Sequence, residues 1–172
     1  MNHDAYSEDY IRGILTAVKS VAVVGASDNP VRPSYFVVKY LIAKGYTAYP
    51  VNPGIAGKEL LGRKVYASLK DVPRPVDMVD IFRNSDAALA ITREAIEIGA
   101  KVVWMQLTVR NDDAAALAEA AGLKVVMNRC PKIEYSKLSG EISWAGVNSG
   151  TISNSRGALG VVGAQNRVLG KQ

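Results

Sequence analysis

Val21-Ala22-Val23-Val24-Gly25-Ala26-Ser27-Asp28-Asn29-Pro30 decides the fold. A run of four apolar residues reads as a buried strand, and it breaks into a tight turn of small residues before a helix that can start at Ser34. Such a turn leaves backbone N–H groups free at a helix N-terminus, where the helix dipole also favours negative charge. The loop therefore suggests a phosphorylated ligand. It is not the dinucleotide fingerprint Gly-x-Gly-x-x-Gly, which would need glycine at 27 and 30, where the chain has Ser27 and Pro30. Read alone, the same residues also describe an ordinary strand-to-helix turn.

Outward from this loop, two hydrophobic periods alternate. Ser7 reads as an N-cap, and Ile11, Ile14, Leu15 and Val18 follow at helical spacing. Strand one spans 21–24. A helix over 34–44 places Val38, Leu41 and Ile42 on one face, and Gly45 stops it. Strand two spans 47–51. Residues 52–64, with Gly54, Gly57 and Gly62, read as a loop with room for one helical turn. Strand three covers 76–82. Ser85 is expected to cap a helix carrying Ala88, Ile91, Ala95 and Ile98 on one face and ending at Gly99. Strand four is 102–105, Asn111 and Asp112 begin an alanine-rich helix that Gly122 closes, and strand five is 125–127. Short apolar strands separated by helices predict an α/β protein. Right-handed crossovers make it a Rossmann-type, doubly wound, parallel five-stranded sheet in a single domain over 8–138. Residues 139–172 are rich in Gly, Ser and Asn and read as a C-terminal tail or arm.

Composition narrows the function. The 172 residues are 48% hydrophobic and 22% charged, as in a globular domain, and no apolar run reaches the ~20 residues needed to span a bilayer. The first ten residues lack the basic start and apolar centre of a signal peptide, so a cytoplasmic location is expected. A single cysteine, Cys130, excludes an internal disulfide and a cysteine-based zinc site. The net charge of +5 admits an acidic partner. The basic residues form no run and no nucleic-acid module, so an acidic small molecule is expected and neither nucleic acid nor membrane.

In a doubly wound sheet, ligands bind beyond the carboxyl ends of the strands. Those ends are Gly25-Ala26-Ser27, Asn52-Pro53, Phe82-Arg83, Gln106-Leu107 and Asn128-Arg129-Cys130-Pro131. Each could be polar merely because it is wet, but the five together favour a site. Strand two discriminates between ligands. An NAD site wants Asp or Glu there to hold the ribose hydroxyls, whereas this chain has Val51-Asn52-Pro53 and nearby Arg32, Lys58, Arg63 and Lys64. A ligand with an extra ribose phosphate, such as NADP or coenzyme A (CoA), fits better.

The chain resembles the stand-alone CoA-binding protein family, itself similar to the CoA-binding domain of the succinyl-CoA synthetase alpha subunit. The resemblance rests on Val24-Gly25-Ala26-Ser27-Asp28-Asn29-Pro30, Arg32-Pro33-Ser34-Tyr35, Tyr49-Pro50-Val51-Asn52-Pro53, 75–83, 99–106 and Asn128-Arg129-Cys130-Pro131-Lys132, in that order. It implies a CoA site. The strand-one loop, Gly25 with Ala26 and Ser27 and flanked by Asn29, Arg32 and Ser34, would receive the phosphates. Asn52 and Pro53 would line the nucleotide, with Lys58 near a phosphate. Phe82 and Arg83 would lie near the adenine or its ribose. The pantetheine arm would pass Met105 and Gln106 toward Asn128 and Cys130.

The residues themselves offer little catalysis. His3 is the only histidine and lies in a start expected to be mobile, which excludes a Ser-His-Asp set and an imidazole metal cluster. Asp77 and Asp80 are expected on opposite faces of strand three, in structural roles. Cys130 is the one nucleophile candidate, with Arg129 and Lys132 placed to lower its pKa; a small apolar packing residue is the alternative. The expected function is non-catalytic binding of CoA or an acyl-CoA. Two alternatives stay open: an NADP-dependent oxidoreductase with Tyr35 or Tyr135 as proton donor, and a regulatory or structural protein with a vestigial CoA site. A homo-oligomer or an unidentified protein partner is compatible with either.

Overall fold

A computed structural model describes residues 1–140. Five parallel strands form the sheet: β1 (Ser20–Val24), β2 (Thr47–Val51), β5 (Met78–Ile81), β6 (Val102–Met105) and β7 (Lys124–Val126). Their spatial order is β2-β1-β5-β6-β7, every neighbouring pair parallel. The chain adds β2 on one side of β1 and then β5 on the other, so strand order reverses between β1 and β5. That crevice is where a doubly wound sheet receives a ligand.

The period-2 alternation of the strands divides the core in two. Val21, Val23, Met78, Val102, Trp104 and Val126 face one layer with apolar side chains of α1 (Glu8–Ala17), α2 (Pro33–Ala43) and α5 (Pro131–Ser139). Ala22, Val79, Ile81, Val103, Met105 and Val125 face the other, packed by alanines of α3 (Ser85–Glu97) and α4 (Asp112–Ala120). The alanines let those two helices lie close to the sheet and to each other.

Several boundaries differ from the sequence reading. Helix α2 begins one residue earlier, at Pro33, because proline suits the first helical turn. Asn84, not Ser85, caps α3: its side chain accepts from the amide of Ala87. Strand three shortens to Met78–Ile81. The 52–64 segment holds a 3-10 turn, Pro53–Ile55, as expected, but also a two-residue hairpin of β3 (Glu59–Leu60) with β4 (Arg63–Lys64). Ser139 and Gly140, assigned to the tail, instead finish α5, and Gly140 is its left-handed C-cap. The rest of the tail lies outside the described residues.

The N-terminal segment is docked. His3 is only 9% exposed, and its Nδ1 lies 2.9 Å from the Tyr6 hydroxyl and its Nε2 3.3 Å from Glu119. This corrects the expectation of a mobile start.

Candidate functional site

A groove of about 1210 Å3 opens over the carboxyl edge of the sheet at the β1/β5 crevice. Its floor and walls are the ends of β1, β2, β5 and β6 together with the first turns of α2, α3 and α5. Three helix N-termini therefore converge on one space, each adding partial positive charge.

The loop after β1 is built to approach the neighbouring strand end. Gly25 has φ +93°, and a Cβ there would come 3.1 Å from both Arg83 Cδ and the carbonyl oxygen of Phe82. The Gly25 amide donates to Val51 O at 2.9 Å, and Asn52 Nδ2 donates to Ala26 O at 2.8 Å, tying the loop to the end of β2. Ser27 Oγ accepts from the Asn29 amide, and Asn29 Oδ1 from the Val31 amide. Among the described residues, no acceptor pairs with the amides of Ala26, Ser27, Asp28 or Ser34. The loop thus holds unpaired donors beside a helix N-terminus, an arrangement that receives anions.

The groove's charge is one-sided. Arg32, Arg83 and Lys132 line it, and among the described residues no Asp or Glu does. Its rim is also apolar: Val31, Phe36 and Leu107 line it while being 74%, 48% and 47% exposed. They are three of the four large hydrophobic residues exposed among the described residues, and a concentration of that kind marks a binding surface.

Of the residues singled out in the sequence, Gly25, Ser27, Arg32, Ser34, Asn52, Phe82, Arg83, Gln106 and Cys130 line this groove. Others do not. Ala26 is wholly buried, and its carbonyl accepts from Asn52 Nδ2, so it braces the loop without lining the groove. Asn29 braces the loop from within. Pro53 belongs to a smaller recess of about 250 Å3 on the other side of Arg83, shared with Ser68, Ile91 and Glu94. Lys58 pairs with Asp28 at 3.2 Å, so it neutralises the one acid of the loop. Met105 is fully buried in the layer packed by the α3 and α4 alanines and does not line the groove. Asn128 acts through structure: its Oδ1 accepts from the Thr108 amide at 2.8 Å, fixing two residues of positive φ, Thr108 at 70° and Asn128 at 53°. Tyr135 is buried in the core and Tyr35 packs against it, and neither lines the groove. The sequence reading named Leu107 as part of a strand end and missed Val31, Phe36, Asn84, Thr108, Lys132 and Ile133 as site residues, all of which line the groove. The signal for the last two was the Cys130-Pro131 pair, a helix start with proline at its first position.

Asp77 and Asp80 take separate structural places. Asp77 receives Lys101 Nζ at 2.8 Å and the amides of Lys19 and Ser20. Partial burial pushes its pKa up, but these donors outweigh it and hold the carboxyl at about 2. Asp80 is fully buried, and desolvation pushes it up to about 8 against the opposing hydrogen bond from Gln106. Cys130, 8% exposed, has its thiol raised by burial, so the expected lowering by Arg129 and Lys132 is overturned. Arg129 is instead drawn to the N-terminal segment, donating to the Asp4 carbonyl. No cluster of His, Cys, Asp or Glu suited to a metal ion occurs among the described residues, and no helix there is long and apolar enough to cross a membrane.

The CoA binding domain family matches residues 19–136. An uncharacterized Bacillus subtilis protein, YneT, is 38% identical over 130 residues, covering 76% of this chain and 95% of its own length. The alpha subunit of the ADP-forming acetate–CoA ligase I of Pyrococcus furiosus is 40% identical over 89 residues, 49% of this chain but 19% of that subunit. A solved hypothetical protein from Pyrococcus horikoshii superposes with a TM-score of 0.75 at 42% identity, covering 80% of this chain and 96% of that one. With its sheet order, its loop and this match over most of the described residues, the chain belongs to the CoA-binding domain family.

Proposed function

We infer that the groove binds coenzyme A or an acyl-CoA and that the protein is a binder rather than a catalyst. One observation carries this reading: the unpaired amides of Ser27 and Ser34 lie on the groove with Arg32, Arg83 and Lys132, and among the described residues no carboxylate lines it. CoA brings several phosphate charges to such a surface and an adenine and pantetheine arm to an apolar rim. The acetate–CoA ligase subunit among the relatives supports the same ligand. Among the described residues no histidine or carboxylate lines the groove, and the one thiol on it is kept protonated by burial, which favours binding over chemistry.

The test is thermal denaturation with CoA, NADP and NAD at equal concentration. A ligand held only by the folded state adds about 2.7 kcal/mol at a hundredfold excess over Kd. CoA should raise the Tm most. A larger rise with NADP would overturn the reading and favour an oxidoreductase.

A further inference from the structure

Asp80, at the penultimate position of β5, points toward the same layer as Met78 and Trp104 and is fully buried. Its only hydrogen-bond partner among the described residues is Gln106, whose Nε2 lies 3.1 Å from each carboxylate oxygen. Gln106 lines the groove, is 4% exposed, and follows the end of β6. With Nε2 engaged below, its Oε1 has no protein partner among the described residues and is not sealed from solvent. It is thus an acceptor on the groove left unpaired among the described residues.

This arrangement depends on what Asp80 can do. An ionised carboxylate only accepts, so it selects the NH2 end of the amide and turns the carbonyl toward the groove. A protonated carboxyl can donate instead, to Oε1, which would turn the NH2 end outward. We propose that Asp80 is the positioning residue of the ligand groove, orienting Gln106 so that its carbonyl oxygen accepts an N–H from an amide of the bound ligand's arm. The inference rests on the CoA reading above, in which the pantetheine arm supplies such amides.

The surroundings leave this choice to the proton. Cys130, at the N-cap of α5, is the ionisable neighbour that senses Asp80, and its thiol is itself raised. Arg32, Arg83 and Lys132 line the groove above, yet none forms an ion pair with Asp80 among the described residues. Burial raises the Asp80 titration to about pH 8, so the protonated and ionised carboxyl are both populated around that pH. A ligand N–H at Oε1 favours the ionised form, and binding must then release the Asp80 proton to solvent.

Calorimetric titration near pH 8, where the phosphate monoesters of both ligands are already ionised, in buffers of different ionisation enthalpy reads that proton. CoA is compared with adenosine 3′,5′-bisphosphate, which carries the ribose phosphate but no arm. Wild-type protein should release more protons with CoA than with the bisphosphate. Asp80→Asn should abolish the excess and weaken CoA several-fold while sparing the bisphosphate. If Asp80→Asn does not fold, Gln106→Met, which removes the amide, should abolish the same excess. Equal release by both ligands, or an unchanged excess in a folded variant, overturns the proposal. Absence of binding by either ligand sinks the CoA reading itself, and the proposal with it.

Discussion

Gly25 shows how much one backbone position can decide. Its φ of +93° strains any side chain, and a Cβ would press at 3.1 Å on Phe82 O and Arg83 Cδ. Gly25→Ala should destabilise the fold by about 1–2 kcal/mol, the cost of a left-handed conformation for an L-residue, and weaken ligand binding further by displacing Arg83. An alanine variant with unchanged Tm and affinity would show that the loop relaxes freely. Asp80 yields a second expectation. Its folded pKa, about 8, exceeds the unfolded value, so between about pH 4 and pH 8 the native state holds a proton that the unfolded chain has released. Stability should therefore fall as pH rises through that window and level off above it. Asp80→Asn should remove this slope and be the more stable protein at pH 9, and equal pH slopes in the two proteins by urea denaturation would contradict it. The sequence shows Gly25 as a turn residue, because glycine after an apolar run is a local signal. It shows Asp80 only as a charge inside a strand: that Gln106 meets it depends on β5 and β6 lying side by side, which no local pattern encodes.

At the scale of elements, the open edge of the sheet is closed by side chains. The Tyr10 hydroxyl accepts from the Val125 amide and donates to the Val125 carbonyl, each at 3.1 Å, and the Tyr6 hydroxyl accepts from the Met127 amide at 2.8 Å. The two rings stack at 5.9 Å, and burial raises both phenol pKa values, which keeps the hydroxyls protonated. The N-terminal segment thus occupies hydrogen-bonding positions that another strand would otherwise fill. Tyr6→Phe and Tyr10→Phe should each cost about 1 kcal/mol, the net worth of the lost hydrogen bonding, read as a lower urea midpoint with unchanged m. No change in midpoint would mean that water replaces the hydroxyls. Helix–strand alternation was legible because strands such as Val102–Met105 are apolar throughout and helices such as Ser85–Glu97 carry a clear stripe. Helix α5 was not, because Pro131–Ser139 mixes Lys132, Glu134 and Lys137 with few apolar residues and is fixed by tertiary contacts of Tyr135 and Leu138. The docked N-terminus was invisible for the same reason: its partners, Met127 and Glu119, lie more than a hundred residues away.

For the molecule as a whole, topology gathers charge that the sequence scatters. Arg32, Arg83 and Lys132 come from three separate segments, yet they share one groove because every strand ends, and every following helix begins, at the same edge. The strand ends could be named from the sequence; that β1 and β5 flank the crevice follows from the strand order alone. A ligand held by these cations should respond to salt. The Debye length shrinks from about 10 Å at 0.1 M to about 3 Å at 1 M, so affinity for CoA should fall steadily as ionic strength rises across that range. Arg83 is exposed and makes no ion pair among the described residues, so its guanidinium is free to meet a phosphate. Replacing it with alanine should cost roughly 1.5–3 kcal/mol of binding, the range of a charge-assisted hydrogen bond, and should flatten the salt dependence. Melting in the absence of ligand should change little, since the side chain bridges no elements of the core. Dephospho-CoA, which lacks the ribose phosphate, should show a shallower salt slope than CoA in the wild-type protein. If Arg83 is the partner of that particular phosphate, the Arg83→Ala protein should bind CoA and dephospho-CoA alike. A variant that still prefers CoA by the wild-type margin would place the phosphate on Arg32 or Lys132 instead.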